Sequence, residues 1–255
     1  ATLMANDLSE LHDAAQRVLS GLDLAADEQA TWAQIAELGW LMIAIDEDLG
    51  GLGMGLSGAC ALHTELGRRL ATVPFLPALL SIDAISCGSL VDREAWLERL
   101  TTGQAYVAAS LAESSVNVVQ GDHGAEKLTG ITEAIQSADR ASHVLVCTTG
   151  GDCVALVPME QSGLTIVPRP TWDTTRRLFD VHFADVVLEE KLTLARGTAA
   201  QALTARVATQ RDFALAAEAV GGANALLELT VDYLSTRHQF GRPLALFQAL
   251  KHRCA

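Results

Sequence analysis

The chain has 255 residues, with 18 Lys and Arg against 31 Asp and Glu, for a formal charge of −13. That balance excludes a nucleic-acid binder, which needs a concentrated basic face to displace counterions; here no basic cluster exceeds a pair or two. The 49% apolar share is that of a folded globular chain, no run of about 18 uncharged apolar residues offers a membrane span, and the acidic start ATLMANDLSELHDAAQ lacks the parts of a signal peptide. The expectation is a soluble, cytoplasmic protein without a membrane or nucleic-acid partner. Cys60, Cys87, Cys147, Cys153 and Cys254 are odd in number and follow no framework spacing, so they read as reduced thiols. Cys147 and Cys153 have the wrong spacing for a zinc knuckle and no histidine pair beside them, so no metal site is expected.

In chain order, residues 1–103 read as an N-terminal all-helical domain. Ser9 precedes a helix-period stripe of Leu11, Ala14, Ala15, Val18 and Leu19, and the segment from Thr31 to Leu38 stops at Gly39. A Gly-rich turn from Leu49 to Gly55 leads into a long helix through Cys60, Leu62, His63, Leu66 and Leu70. Pro74 and Pro77 interrupt the pattern before two short helices near 78–86 and 92–100. Residues 104–190 change to strand-like runs at 106–111, 116–119, 143–147, 154–157 and 164–167, punctuated by Gly121, Gly150-Gly151 and Gly163. One more strand, 181–188, is broken by Ala184-Asp185. Many short strands without intervening helices imply an antiparallel barrel or sandwich.

Residues 191–255 read as a C-terminal helical bundle, making the fold class α+β. Phe213, Ala216, Val220, Ala223, Leu227, Thr230 and Leu234 fall at steps of three and four and predict the packed seam of a long helix. Gly221-Gly222 inside it costs about 1 kcal/mol per glycine relative to Ala, which close helix contact would offset. A second helix is expected from Pro243 to Ala255, its apolar pattern unfinished, so the bundle reads as incomplete within these residues.

Specific residues sharpen this. The stretch from Trp32 to Trp40, followed by Glu47-Asp48-Leu49-Gly50-Gly51-Leu52-Gly53, resembles the N-terminal "W-x-x-L-A-E-L-G-W … P-E-x-x-G-G-x-G" region of acyl-CoA dehydrogenases. The run from Tyr233 to His252 resembles that family's "Y-x-x-x-R-x-Q-F-G-x-P-[LI]-x-x-F-Q-x-x-K-H" signature at nearly every defined position. The resemblance implies FAD, an acyl-CoA substrate and a dimer-of-dimers assembly. It further implies that Arg237, Phe240, Phe247 and Gln248 bind cofactor, reaching the FAD of a neighbouring subunit. A planar guanidinium grips a pyrophosphate with paired N–H donors, Phe240 offers a flat apolar face and Gln248 an amide. Without the resemblance, Arg237 and His238 simply suit a helix C-terminus, with Gly241 as its cap and Pro243 as its stop.

Against the same family pattern, the own-subunit flavin contacts are degraded. The "T-E-P-x-x-G-S-D" loop corresponds to Leu111-Ala112-Glu113-Ser114-Ser115, keeping only the acid, and the "W-[IV]-[TS]" strand corresponds to Ala134-Ile135-Gln136. Arg211 stands where a minority of relatives carry the catalytic Glu, or, with a one-residue slip, at the position that contacts CoA; Asp212 otherwise holds that second position. Arg211 is therefore the candidate substrate-binding residue, and no catalytic base is named. Glu218 and Glu228 read as helix-face carboxylates. His63, His123, His143 and His182 read as core-edge or surface histidines, and the stretch from Asp173 to Arg177 as a solvated charge cluster or a subunit contact.

The expected function is that of a subunit of a heteromeric FAD-dependent acyl-CoA dehydrogenase, lending a half-site to FAD held mainly by a second acyl-CoA dehydrogenase subunit. Steroid side-chain CoA esters are a candidate substrate. A homotetrameric enzyme and a catalytically inactive scaffold subunit are the alternatives.

Overall fold

The computed structural model describes residues 2–21, 28–121 and 124–254; His123 lies outside them. Five helices form the N-terminal layer: α1 (Thr2–Ser20), α2 (Glu28–Glu37), α3 (Gly55–Arg68), α4 (Phe75–Cys87) and α5 (Arg93–Thr101). Gly39, at φ 71°, takes the left-handed conformation that ends the α2 segment, as its sequence position predicts. Helix α4 starts three residues earlier than expected. Pro77 sits in its first turn, where a backbone N–H has no intrahelical acceptor, so the ring costs nothing there. Every residue from Phe75 to Ile85 is buried, which is why this helix shows no polar face in the sequence.

The middle region holds two four-stranded sheets. The first has the order β1 (Val107–Ala109), β4 (His143–Cys147), β5 (Cys153–Pro158), β8 (Thr193–Arg196). The second has the order β2 (Asn117–Gln120), β3 (Glu126–Gln136), β7 (Leu178–Val187), β6 (Leu164–Arg169). All pairs are antiparallel except β1 with β4, so the sheets are not purely antiparallel as expected. Bridges at Ser110–Ile135 and Ser114–Thr132 join the two sheets. Strand β3 escapes the alternation test because its pairing with β7 slips twice, between Leu128 and Gly130 and between Thr132 and Ile135. Opposite the first slip, β7 runs unbroken through Ala184-Asp185, with Asp185 at φ 55°. Strand β8 lies beyond residue 190 and is the edge of the first sheet.

Helix α6 (Gly197–Thr236) is 40 residues long and packs on α3, α4, β5 and β8. Its buried face is not the predicted seam. Ala200, Leu203, Val207, Ala214 and Gly221 point inward, whereas Phe213 and Val220 are 54% and 55% exposed. The helix is apolar on both sides, so a single period could not select the face, and the small residues won because α3 crosses closely. A Cβ on Gly221 would lie 1.9 Å from the Thr64 carbonyl oxygen, and one on Gly67 would lie 2.2 Å from the Glu218 carbonyl oxygen. An 18-residue window of α6 reaches a mean hydropathy of 1.2, so by length and composition this helix could cross a membrane. Its central carboxylate, Glu218, nonetheless has a side chain only 11% exposed and is ion-paired within the protein.

After α6, a tight hairpin of β9 (His238–Gln239) and β10 (Arg242–Pro243) precedes α7 (Gln248–Cys254). Phe240 and Gly241 at its tip have φ 54° and 76°. Gly241 is therefore a hairpin residue rather than a helix cap, and the last helix begins at Gln248, not at Pro243.

Candidate functional site

A cavity of about 400 Å³ lies between the first sheet, the Ser110–Ser114 turn and the first half of α6. Its charged lining residues are Glu113 and Arg211. Arg211 and Asp212 are neighbours with opposite surroundings: the Arg211 side chain is 17% exposed in the cavity wall, and that of Asp212 is 67% exposed. The Arg211 Nε donates to the Asp212 carboxylate at 2.9 Å, which steadies the guanidinium. Cys147 also lines the cavity, and burial pushes its thiol up, so it stays neutral and non-nucleophilic at pH 7.

The hydroxyls on the sheet side are already engaged. Ser114 and Thr132 hydrogen-bond each other at 3.0 Å, and the Ser110 hydroxyl sits 2.7 Å from the Glu133 carbonyl oxygen while accepting the Ala112 N–H. Ala134, at φ 54° in the bulge of β3, offers no ring, and its N–H is bound by Asp180. Gln136 is buried and donates its amide to the Thr72 carbonyl. None of the residues lining the cavity is aromatic. These groups do not fit a flavin ring, which wants a stacking face and free donors.

A second cavity, about 440 Å³, follows along α6, between α3, the start of α4 and the 173–178 segment. His63, expected at the core edge, is fully buried at 2% exposure, and its Nδ1 donates to Glu218 at 2.9 Å. Arg176 pairs with the other Glu218 oxygen. Burial alone would push the Glu218 carboxyl up; the His63 hydrogen bond and the Arg176 charge outweigh it and hold the group below its ordinary value. This corrects three expectations, since Glu218 is no exposed helix-face acid, His63 is no surface group and Arg176 turns inward. Arg177 likewise binds Glu28 and Asp139 of the same chain. The sequence did hold a signal: Glu218 falls four residues after Ala214 and three before Gly221, on the face that carries those two buried small residues.

Arg237, Phe240 and Gln248 lie elsewhere. All three are exposed, Phe240 at 89%, and among the described residues no side-chain hydrogen bond engages the Arg237 guanidinium. Arg237 instead receives the Leu244 N–H on its carbonyl, fixing the hairpin. Phe240 and Phe247 meet edge-to-face at 6.1 Å, and the Arg242 guanidinium lies 4.1 Å over the Phe247 ring. Arg211 and Arg237 are separated by 26 residues of one helix, about 39 Å at 1.5 Å per residue. The structure thus brings Arg211 into the cavity and keeps Arg237, Phe240, Phe247 and Gln248 together at the far end of α6.

Two family descriptions match the chain: acyl-CoA dehydrogenase, N-terminal domain, over residues 10–104, and acyl-CoA dehydrogenase, C-terminal domain, over residues 201–255, together more than half of it. The chain belongs to the acyl-CoA dehydrogenase family. It is 32% identical to acyl-CoA dehydrogenase IpdE2 of Mycobacterium tuberculosis over 95% of its own length, and spans 64% of that protein, a little under two thirds. Among solved structures it resembles the ChsE4-ChsE5 complex from Mycobacterium tuberculosis (25% identity, TM-score 0.80, all of this chain and 72% of that one). It also resembles a variant of the Tcur3481-Tcur3483 steroid ACAD (28% identity, TM-score 0.82, 98% of this chain and 73% of that one). Within the family, then, this member has an intact C-terminal signature on an exposed hairpin and an altered flavin-side turn.

Proposed function

We propose that this acyl-CoA dehydrogenase family member works as one subunit of a heteromeric FAD-dependent enzyme. It lends Arg237, Phe240, Phe247 and Gln248 to FAD held mainly by a partner subunit, which carries out the dehydrogenation, and its own cavities along α6 bind an acyl-CoA thioester as a ligand. The observation that carries the shared site is the separation of about 39 Å between the cavity and the exposed signature block on one rigid helix, and the engaged sheet-side turn without a stacking face favours a different chain as partner. A single chain cannot bring both to one cofactor, whereas a neighbouring subunit can meet the far end.

The residues fit the two roles unequally. The signature block offers an uncommitted guanidinium, an exposed ring and an exposed amide, the groups a pyrophosphate and a ring edge require. The chain's own sheet-side turn has spent its hydroxyls internally and has no stacking face. Leu226, Leu229 and Tyr233, at steps of three and four on the outer face of α6, lead to the block and are each more than half exposed. They make that end of the helix a packing surface of the kind subunit assembly uses.

When bound, FAD supplies the hydride acceptor for α,β-dehydrogenation in the partner subunit's site. Arg211 contacts the CoA moiety of the thioester at the first cavity, and the mostly apolar wall of the second receives the acyl group. The likeness to the ChsE4-ChsE5 complex favours a two-subunit assembly here, and the likeness to the Tcur3481-Tcur3483 steroid ACAD favours a steroid CoA ester, for which a side-chain ester is the candidate.

The test is flavin content and mass by light scattering, for the chain alone and with a second acyl-CoA dehydrogenase subunit whose flavin-side motifs are intact. No FAD alone and about one per two chains in the complex is expected. One FAD per chain alone would establish a homomeric enzyme, and no flavin in either would leave a scaffold.

A further inference from the structure

The two cavities succeed one another on α6. Val207, Ala208 and Arg211 wall the first, and Leu215, Glu218 and Gly222 wall the second. Arg211 and Glu218 are seven residues apart, which places them on one helix face about 10 Å from each other. The turn that contributes Ala112 and Ser114 to the first cavity contributes Leu111 to the second. A ligand anchored at Arg211 and extending along this face ends beside Glu218.

The far cavity is apolar over most of its wall, yet it carries an ion pair. Both Glu218 oxygens are occupied, one by His63 and one by Arg176. Arg176 has five N–H donors, and among the described residues only the Glu218 bond uses them. A hydrocarbon tail packed here would strip water from those donors and return nothing. The charges on the wall also discriminate: Glu218 and Asp173 stand against the single guanidinium of Arg176. A ligand carboxylate would meet two like charges, whereas an uncharged carbonyl or hydroxyl oxygen can accept from Arg176 without that repulsion.

We propose that the second cavity takes the remote end of the acyl group, and that Arg176, positioned by Glu218 and His63, selects acyl groups bearing an uncharged oxygen there, a ketone or hydroxyl, over plain hydrocarbon tails. This rests on the acyl-CoA reading given above. It adds a selectivity-determining residue and a ligand class to it.

Calorimetric titration of the chain with octanoyl-CoA and with 7-oxooctanoyl-CoA tests it. The two probes share the thioester and the chain length and differ by one oxygen. The expected result is a preference of about tenfold for the oxo compound, toward the low end for an unpaired donor because Arg176 is partly exposed. Arg176→Met should reduce the ratio to about one. Because that change leaves Glu218 charged and half-partnered, the R176M/E218Q double variant, neutral and similar in volume, measures the same loss in a fold with no stranded charge. Equal binding of both probes by the unaltered chain, or a preference surviving in a folded variant, overturns the selectivity while leaving the acyl-CoA reading standing. Binding of neither probe overturns both.

Discussion

The contact between α3 and α6 shapes the second cavity and holds His63 against Glu218, so its most sensitive point is Gly221. In Gly221→Ala, the added Cβ would lie 1.9 Å from the Thr64 oxygen, 2.8 Å from the Thr64 carbonyl carbon and 2.9 Å from the Arg68 nitrogen. All three are backbone atoms, so no side chain can swing aside. Reaching ordinary contact at 3.4 Å requires the helices to part by roughly 1.5 Å. Alanine contributes about 1 kcal/mol of helix propensity over glycine. Overpacking costs about 1–3 kcal/mol, and a backbone-to-backbone clash belongs at or above the upper end. The net loss is therefore about 2 kcal/mol, or a fall in Tm of roughly 4–8 °C for a domain of this size. Gly222→Ala is the internal control. Its Cβ would meet one atom, the Gly67 oxygen, at 3.5 Å, so propensity should prevail and Tm should hold or rise. Thermal unfolding followed by circular dichroism reads both variants. A Gly221→Ala protein as stable as the Gly222→Ala protein would refute the close crossing and, with it, the spacing that forms the cavity.

Three further outcomes follow from the site. Glu218 has a folded pKa below its ordinary 4.5, so the unfolded chain takes up the proton first and stability is lost as pH falls through and below that value. Urea midpoints between about pH 6 and pH 3 should fall more steeply for the unaltered chain than for Glu218→Gln, and parallel curves would refute the assignment. Arg237→Glu should abolish flavin retention in the two-subunit complex without moving the Tm of the isolated chain, since no side-chain partner is lost; a lower Tm would show a structural role instead. Arg211→Ala should weaken acyl-CoA binding by about 10–100-fold, the range for a charge-assisted hydrogen bond, and an unchanged Kd by calorimetry would remove Arg211 from the substrate site.

The sequence by itself determined the order of helices, strands and helices, and the signature from Tyr233 to His252, because periodicity, turn residues and motif spacing are local properties. It also located the close helix contact at Gly221, since a paired glycine inside a strong helix requires a packing reason. It could not say which side of α6 faces inward. That helix is apolar all round, and only the crossing of α3 at Gly67 and Gly221 turned the small-residue face to the core and left Phe213 and Val220 outside. Strand β3 was hidden because two bulges break its alternation, and the true start of α4 at Phe75 because a fully buried first turn that carries Pro77 has no polar period to read. The His63–Glu218–Arg176 cluster depended on the tertiary structure altogether. Its members are 155 and 42 residues from their common partner, and a carboxylate on a helix looks solvated until the chain brings a histidine and a guanidinium to it. The separation of Arg211 from Arg237 required only one added fact, that α6 runs unbroken between them, because a rigid helix converts sequence distance into length.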